Sequence, residues 1–226
     1  MHMQNWRMEA KNNVLELHIY DTVESSTWYK KSETSAQHFR EQLAQHGNVS
    51  EIKIYINSLG GSVMEGIAIY NQLKRHPAHK TVYIDGFACS VASVIAMAGD
   101  TVIMPKNTVM MIHNAWAVAA GNAAELRKTA DDLDVINRSS KQAYLEKAGE
   151  KLTEEELTRM LDAETYLTAE QCIAYGLADR YANDAAEPDS SGAKQTAGML
   201  AQQAVQDEMY RRRERALAAL ETYFNH

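Results

Sequence analysis

Apolar and polar side chains alternate from Val14 to Tyr20 (VLELHIY), the period-two signature of a half-buried strand. Ser35 to His46 has Phe39 and Leu43 at helical spacing and runs into Gly47, a residue type suited to closing a helix. Ile52 to Ile56 (IKIYI) predicts a second strand leading into Asn57-Ser58-Leu59-Gly60-Gly61-Ser62. Val63 to His76 then carries Val63, Ile67, Tyr70 and Leu73 on one helical face and stops before Pro77. The strand, loop, helix unit recurs at once. Thr81 to Ile84 reads as a strand, Gly86 to Cys89 as a turn, and Ser90 to Ala98 as a helix of small residues. Two short β-branched runs, Thr101 to Met104 and Thr108 to Ile112, flank the turn signal Pro105-Lys106-Asn107. Strands alternating with helices predict an α/β fold around a mostly parallel sheet with right-handed crossovers.

From Asn122 to about Lys147 a long helical pattern sets Leu126, Ala130, Leu133 and Ile136 three or four residues apart, with Ala143 seven further on. Its stripe packs either on its own sheet or on a partner outside the subunit. Thr153 with Glu156 predicts a capping box for a short helix, and Thr168 to Tyr175 a last helix closed by Gly176. Beyond Asp184 the chain turns to Ala, Glu, Pro, Ser and Gly, which marks a linker. An appended helix from about Gln195 to Phe224 follows, carrying Arg211, Arg212, Arg213 and Arg215. The expected organisation is one domain over residues 1–184, then linker and appended helix over 185–226.

Composition narrows the function classes. At 226 residues with 45% hydrophobic and 23% charged residues, the chain has enough apolar material for one substantial core. The net charge of −7 argues against nucleic acid as a partner and leaves a protein substrate open. No apolar run approaches the roughly 20 residues of a membrane span, and the first residues are too polar for a secretory signal, so a cytoplasmic protein is expected. Cys89 and Cys172 are isolated, which indicates neither a zinc site nor a disulfide framework.

A serine hydroxyl becomes a useful nucleophile when a base takes its proton and backbone donors hold the oxyanion that forms. Ser90 stands at a strand-to-helix turn, GFACSVAS, where helix-start N–H groups are unpaired. On local evidence alone an ordinary N-cap serine is the preferred reading. The Gly60-Gly61 loop alters that balance, because adjacent parallel strands end on one edge of a sheet, so this loop can aim a backbone N–H at the same point. Glycine pairs also make plain tight turns. His113 follows a strand (TVMMIH), a place where a lone histidine is more often a hydrogen-bonded core residue than a catalyst.

Three strings in one order carry a resemblance: IYINSLGGSVMEGIAIYNQL, GFACSVASVIAMAGD and TVMMIHN are similar to the glycine-loop, nucleophile and histidine motifs of the ClpP serine peptidases. The segment ETYLTAEQCIAYGLADRY resembles the part of that family bearing the triad acid, and the similarity spans roughly Val14 to Tyr181. It implies the ClpP/crotonase-like spiral of β-β-α units with a protruding handle helix, about residues 115–150. By position it implies Ser90 as nucleophile, His113 as general base, and the N–H groups of Gly61 and Val91 as the oxyanion hole. The family's acid is usually aspartate; here that position is Glu164, with Asp162 as its rival, since glutamate's extra methylene demands a different backbone distance.

The resemblance further implies a serine endopeptidase needing neither cofactor nor metal, working on protein or peptide substrates inside a homo-oligomeric ring, a heptamer or stacked rings. No match to the family's axial loop segment is evident near the N-terminus, and the C-terminal tail is extra. That pattern is closest to the phage and prophage ClpP-related proteases, which implies processing of capsid or scaffold proteins during head maturation. The alternatives are general degradation with an ATPase partner, crotonase-like acyl-CoA chemistry, and a non-catalytic assembly protein. Ser93, three residues on, is the rival serine for an active-site probe.

Overall fold

In the computed structural model, residues 6–26, 32–46 and 49–182 are described, together with Glu214 and Ala218. Eight strands form one sheet: β1 (Trp6–Lys11), β2 (Val14–Ile19), β3 (Glu51–Ser58), β4 (His79–Cys89), β5 (Thr101–Met104), β6 (Val109–Ile112), β7 (Thr165–Thr168) and β8 (Arg180–Tyr181). The order β1-β2-β3-β4-β5-β8 runs along the sheet, while β6 pairs with β4 and β7. Pairing is antiparallel for β1 with β2 and for β6 with β7, and parallel elsewhere.

The period-two pattern sorts each strand by face. Leu15, Leu17 and Ile19 of β2, Ile52, Ile54 and Ile56 of β3, and Val82 and Ile84 of β4 are all buried. Each such side chain contributes about 1.5–3 kcal/mol relative to exposure. The other face of the same strands carries an aromatic row. The His18 and Tyr55 rings stack at 4.7 Å, and Tyr55 and Tyr83 at 5.1 Å.

Among the described residues within 6–182 lie six α-helices, α1 (Ala36–Gln45), α2 (Val63–Arg75), α3 (Val91–Ala96), α4 (Ala123–Ala148), α5 (Glu154–Asp162) and α6 (Ala169–Ala174), and a 3-10 turn at Gly149–Lys151. Ser62 caps α2 by accepting the N–H of Glu65. The buried face of α2 is Gly66, Ile69, Tyr70 and Leu73, rotated from the expected face so that Ile67 lies only half-buried. Gly66 explains the rotation: a Cβ there would stand 2.0 Å from Val91 Cγ2, so its missing side chain lets α3 pack against α2.

Several expectations are corrected. The predicted turn Gly86 to Cys89 is strand, because β4 changes partner along its length: Thr81–Tyr83 pair with β5, and Phe87–Cys89 with β6. Asn57 Oδ1 accepts the Phe87 N–H at 3.1 Å across the irregularity between β3 and β4. Strand β1 is an addition to the predicted elements; Trp6, Met8 and Ala10 alternate along it ahead of Asn12 and Asn13, both at positive φ in the turn to β2. Thr153 caps α5, but the Glu156 carboxylate turns to Arg159, and the full capping box is Thr168 with Gln171 on α6.

Chain contacts divide the described residues into two compact units, one of those up to Asn114 together with those from 140 to 182, the other including Ala115–Ser139. The first carries the sheet and the C-terminal part of α4, where Ala143, Tyr144 and Ala148 join the core. In the second, Leu126 and Val135 are exposed, and Ala115 donates its N–H to Asn137 Oδ1 at 2.7 Å. The linker after Asp184 and the appended helix lie outside the described residues, apart from Glu214 and Ala218. No helix among the described residues is long and apolar enough to cross a membrane.

Candidate active site

Adjacent parallel strands deliver Ser90 and His113 to one edge of the sheet. The ends of β4 and β6 pair as Ala88 with Met110 and Cys89 with Met111, so the residues that follow emerge side by side. Ser90 then turns sharply, at φ 55° and ψ −131°, into α3. Its N–H is anchored to the Met111 carbonyl at 2.8 Å. The hydroxyl makes no helix-capping bond, unlike the N-cap serine that local sequence favoured. Instead Ser90 Oγ lies 2.8 Å from His113 Nε2. Both residues are half-buried, so the pair is reachable from solvent.

The glycine loop sits directly against this turn. At Gly60 (φ +87°) an added Cβ would stand 2.7 Å from both the Cys89 carbonyl and Ser90 Cβ. At Gly61 (φ +148°) it would stand 2.1 Å from the Val23 carbonyl. A parallel bridge holds the loop: Val23 donates its N–H to Gly60 O at 2.9 Å, and Ser62 donates to Val23 O at 2.8 Å. Those two bonds use the peptide groups on either side of Gly61 and leave its own N–H out of the bridge. Val91, the residue after Ser90, is buried and begins α3; its nitrogen would lie 3.1 Å from a Cβ on Gly60.

The two candidate acids lie at the turn between α5 and β7. Antiparallel β6 and β7 pair Met111 with Tyr166 and Ile112 with Thr165. The pairing ends there, so His113, which follows Ile112, and Glu164, which precedes Thr165, leave the same end of the β6–β7 pair. Asp162 accepts a hydrogen bond from Asn114 Nδ2 at 2.7 Å, which ties it to the neighbour of His113. Glu164 has a positive φ of 48°, uncommon for a non-glycine residue. Burial, with Cys89 and Glu164 nearby, pushes the Tyr166 phenol up to about 12. Strand β7, four residues long, carries no sequence signal of its own, and the nearness of Glu164 to the β6 end depends on it.

Beneath Ser90 the surroundings are dry. Cys89 is fully buried, and burial raises its thiol to about 12, so it is an inert neighbour. Ser93, fully buried one turn along α3, is no candidate for attack. Its Oγ lies 2.5 Å from the Ser90 carbonyl oxygen, 3.4 Å from that of Met111 and 2.6 Å from the hydroxyl of Tyr144 on α4. Burial raises the Tyr144 phenol above its ordinary value. This polar pair gave no signal in the sequence, where Ser93 was one small residue among several. Among the described residues no group of three or more His, Cys, Asp and Glu side chains is placed to hold a metal ion.

Comparison with known proteins matches residues 17–184 to the Clp protease family. The chain is 31% identical over 141 residues to the ATP-dependent Clp protease proteolytic subunit 1 of Streptomyces avermitilis, covering 61% of this chain and 64% of that protein. The corresponding subunit of Chlorella vulgaris is 33% identical over 134 residues, covering 58% of this chain and 65% of its own. Subunit 1 of Corynebacterium jeikeium is 32% identical over 148 residues, covering 64% and 77%. The alignments thus span just under two thirds of the first and second of these subunits.

Proposed function

Because the chain belongs to the Clp protease family, we propose that it is a serine endopeptidase acting through an acyl-enzyme, with Ser90 as nucleophile and His113 as general base. The observation that carries this reading is the 2.8 Å approach of Ser90 Oγ to His113 Nε2, within the reach proton transfer requires. With its proton on Nδ1, the imidazole accepts the hydroxyl proton at Nε2 as Oγ attacks a peptide carbonyl. It then returns that proton to the departing amine, and water repeats the cycle on the ester. Glu164, which leaves the β6–β7 pair at the same end as His113, is the carboxylate we assign to hold the Nδ1 proton, ahead of Asp162, which accepts from Asn114.

The oxyanion formed on the attacked carbonyl is assigned to the N–H groups of Gly61 and Val91. These flank Ser90 from the glycine loop and from α3, and one such donor is worth about 10²–10³ in rate. The chemistry needs neither cofactor nor metal. Crotonase-like acyl-CoA chemistry uses two N–H groups but has no need of a serine bonded to histidine, so the pairing favours hydrolysis. The same intact pair speaks against a purely structural assembly protein.

The finer biology is proposed on likeness. Processing of phage capsid or scaffold proteins within a homo-oligomeric cytoplasmic ring, a heptamer or stacked rings, follows from the overall sequence pattern. The relatives are named ATP-dependent proteolytic subunits, and that favours degradation with an ATPase partner as the second reading. The domain proposal remains a peptidase domain over residues 1–184 and an appended segment over 185–226.

Hydrolysis of an unfolded protein such as casein, with and without a Clp ATPase and ATP, tests both levels. Wild type is expected to cleave, and Ser90→Ala and His113→Ala to be inactive. Full cleavage by Ser90→Ala contradicts the mechanism. Cleavage unaffected by the ATPase favours the processing role, and cleavage dependent on it favours degradation.

A further inference from the structure

Ser90 must hold an unfavourable backbone conformation for the site to exist, and the groups that hold it are not all in the triad. Its φ of 55° and ψ of −131° lie outside the regions open to L-residues, so the conformation is strained. The angle ψ also sets the plane of the Ser90–Val91 peptide. In a planar trans peptide the C=O and N–H point in opposite directions. Whatever fixes the Ser90 carbonyl therefore aims the Val91 N–H.

Two groups from Ser93 hold that carbonyl: the backbone N–H at 3.0 Å and Oγ at 2.5 Å. A serine hydroxyl has one proton and two lone pairs. With the Ser90 carbonyl at 2.5 Å and the Met111 carbonyl at 3.4 Å, that proton goes to Ser90. Tyr144, 2.6 Å away, must then donate its own proton to Ser93 Oγ. The hydroxyl sequence runs one way, from Tyr144 to Ser93 to the Ser90 carbonyl. Both side chains are essentially out of solvent, Tyr144 at 1% exposure and Ser93 at 0%, where such chains polarise one another. Alanine and phenylalanine would fill the same space with no polar group to satisfy.

We infer that Ser93 and Tyr144 are positioning residues, a buried hydroxyl relay that fixes the Ser90–Val91 peptide and so aims the Val91 N–H at the oxyanion. This inference rests on the peptidase reading above. It assigns the relay a place in the transition state, where the N–H is used, and none in substrate binding or in the basicity of His113.

The test is steady-state kinetics on a chromogenic ester or fluorogenic peptide for wild type, Ser90→Ala, Tyr144→Phe, Ser93→Ala and the Ser93→Ala/Tyr144→Phe double variant. Rates are normalised to the titre of fluorophosphonate-reactive sites, so that a partly unfolded sample does not count as slow. Loss of a whole donor would cost about 10²–10³-fold; misaiming one is expected to lower kcat about tenfold in Ser93→Ala, and less in Tyr144→Phe. KM and the pH profile should stay unchanged, and the double variant should be no slower than Ser93→Ala because Tyr144 acts through Ser93. Tyr144→Phe, which removes one oxygen and keeps the ring, preserves the test if Ser93→Ala folds poorly. Wild-type kcat in these variants, or a change confined to KM, overturns the relay while Ser90→Ala remains inactive. Activity retained by Ser90→Ala overturns the peptidase reading and the relay with it.

Discussion

Two strand, loop, helix units stand side by side and meet the same backbone demand differently. After β3 the chain turns at Gly60 and Gly61, both at positive φ, and after β4 it turns at Ser90, also at positive φ. The first loop is assigned only a backbone N–H, so glycine meets the need with no steric cost, and its missing Cβ atoms let the loop lie against Ser90 and Val23. The second turn needs a side chain. Serine there is strained, and the Met111 carbonyl, the Ser93 N–H and the Ser93 hydroxyl hold it in place. Strain is tolerated where a reactive atom has to stand, and avoided where a peptide group suffices.

Substitutions that exchange the two solutions should separate them. The largest effect is expected from Ser90→Ala, which removes the nucleophile: peptide hydrolysis should fall about 10⁶-fold, as read by product formation at high enzyme concentration. Glu164→Ala should lower kcat by about 10³-fold, and Asp162→Asn by less than about threefold, if Glu164 is the carboxylate that orients His113. The reverse ranking in a steady-state assay would exchange their roles. Gly60→Ala forces a methyl against Ser90 and should cost about 2–3 kcal/mol in urea unfolding, with loss of activity. Ser90→Gly should do the opposite for stability. Relief of strain outweighs the lost hydrogen bond, and the urea midpoint should rise by about 1 kcal/mol equivalent in an inactive protein.

The smallest effect lies at the far end of β4, away from the turn. Burial alone would raise the Asp100 carboxyl, but hydrogen bonds from the Lys80 backbone and side chain, with the charges of Lys80 and His79, bring it below its ordinary 3.8. A carboxyl depressed in the folded state stabilises it above the unfolded value and loses that contribution as pH falls through the folded one. Thermal unfolding between about pH 5 and pH 2 should therefore show a modest acid loss that Asp100→Asn flattens, limited because Asp100 is substantially exposed.

Sequence and structure agree where a signal is local and periodic. Strands β2, β3, β5 and β6 and helices α1, α2 and α4 follow directly from apolar spacing. What escaped depends on tertiary pairing. The stretch Gly86 to Cys89 resembles a turn by composition and becomes strand only because β6 arrives beside it. Thr165 to Thr168 is too short to announce itself, yet its pairing with β6 is what brings the chain beside Glu164 to the end of the sheet where His113 emerges. Ser90 looked like an N-cap because its local setting is one, and it was set apart by two other motifs in register. Ser93 and Tyr144, 51 residues apart, carry no pattern that links them before folding.

The central claim is that Ser90 is the one activated hydroxyl, and the most direct measurement is site-mapped labelling with a fluorophosphonate. Wild type should take up one adduct per chain, located by peptide mass mapping on Ser90, with none in Ser90→Ala and strongly slowed uptake in His113→Ala. An adduct on Ser93 or any other serine, or labelling that persists in Ser90→Ala, would contradict the account.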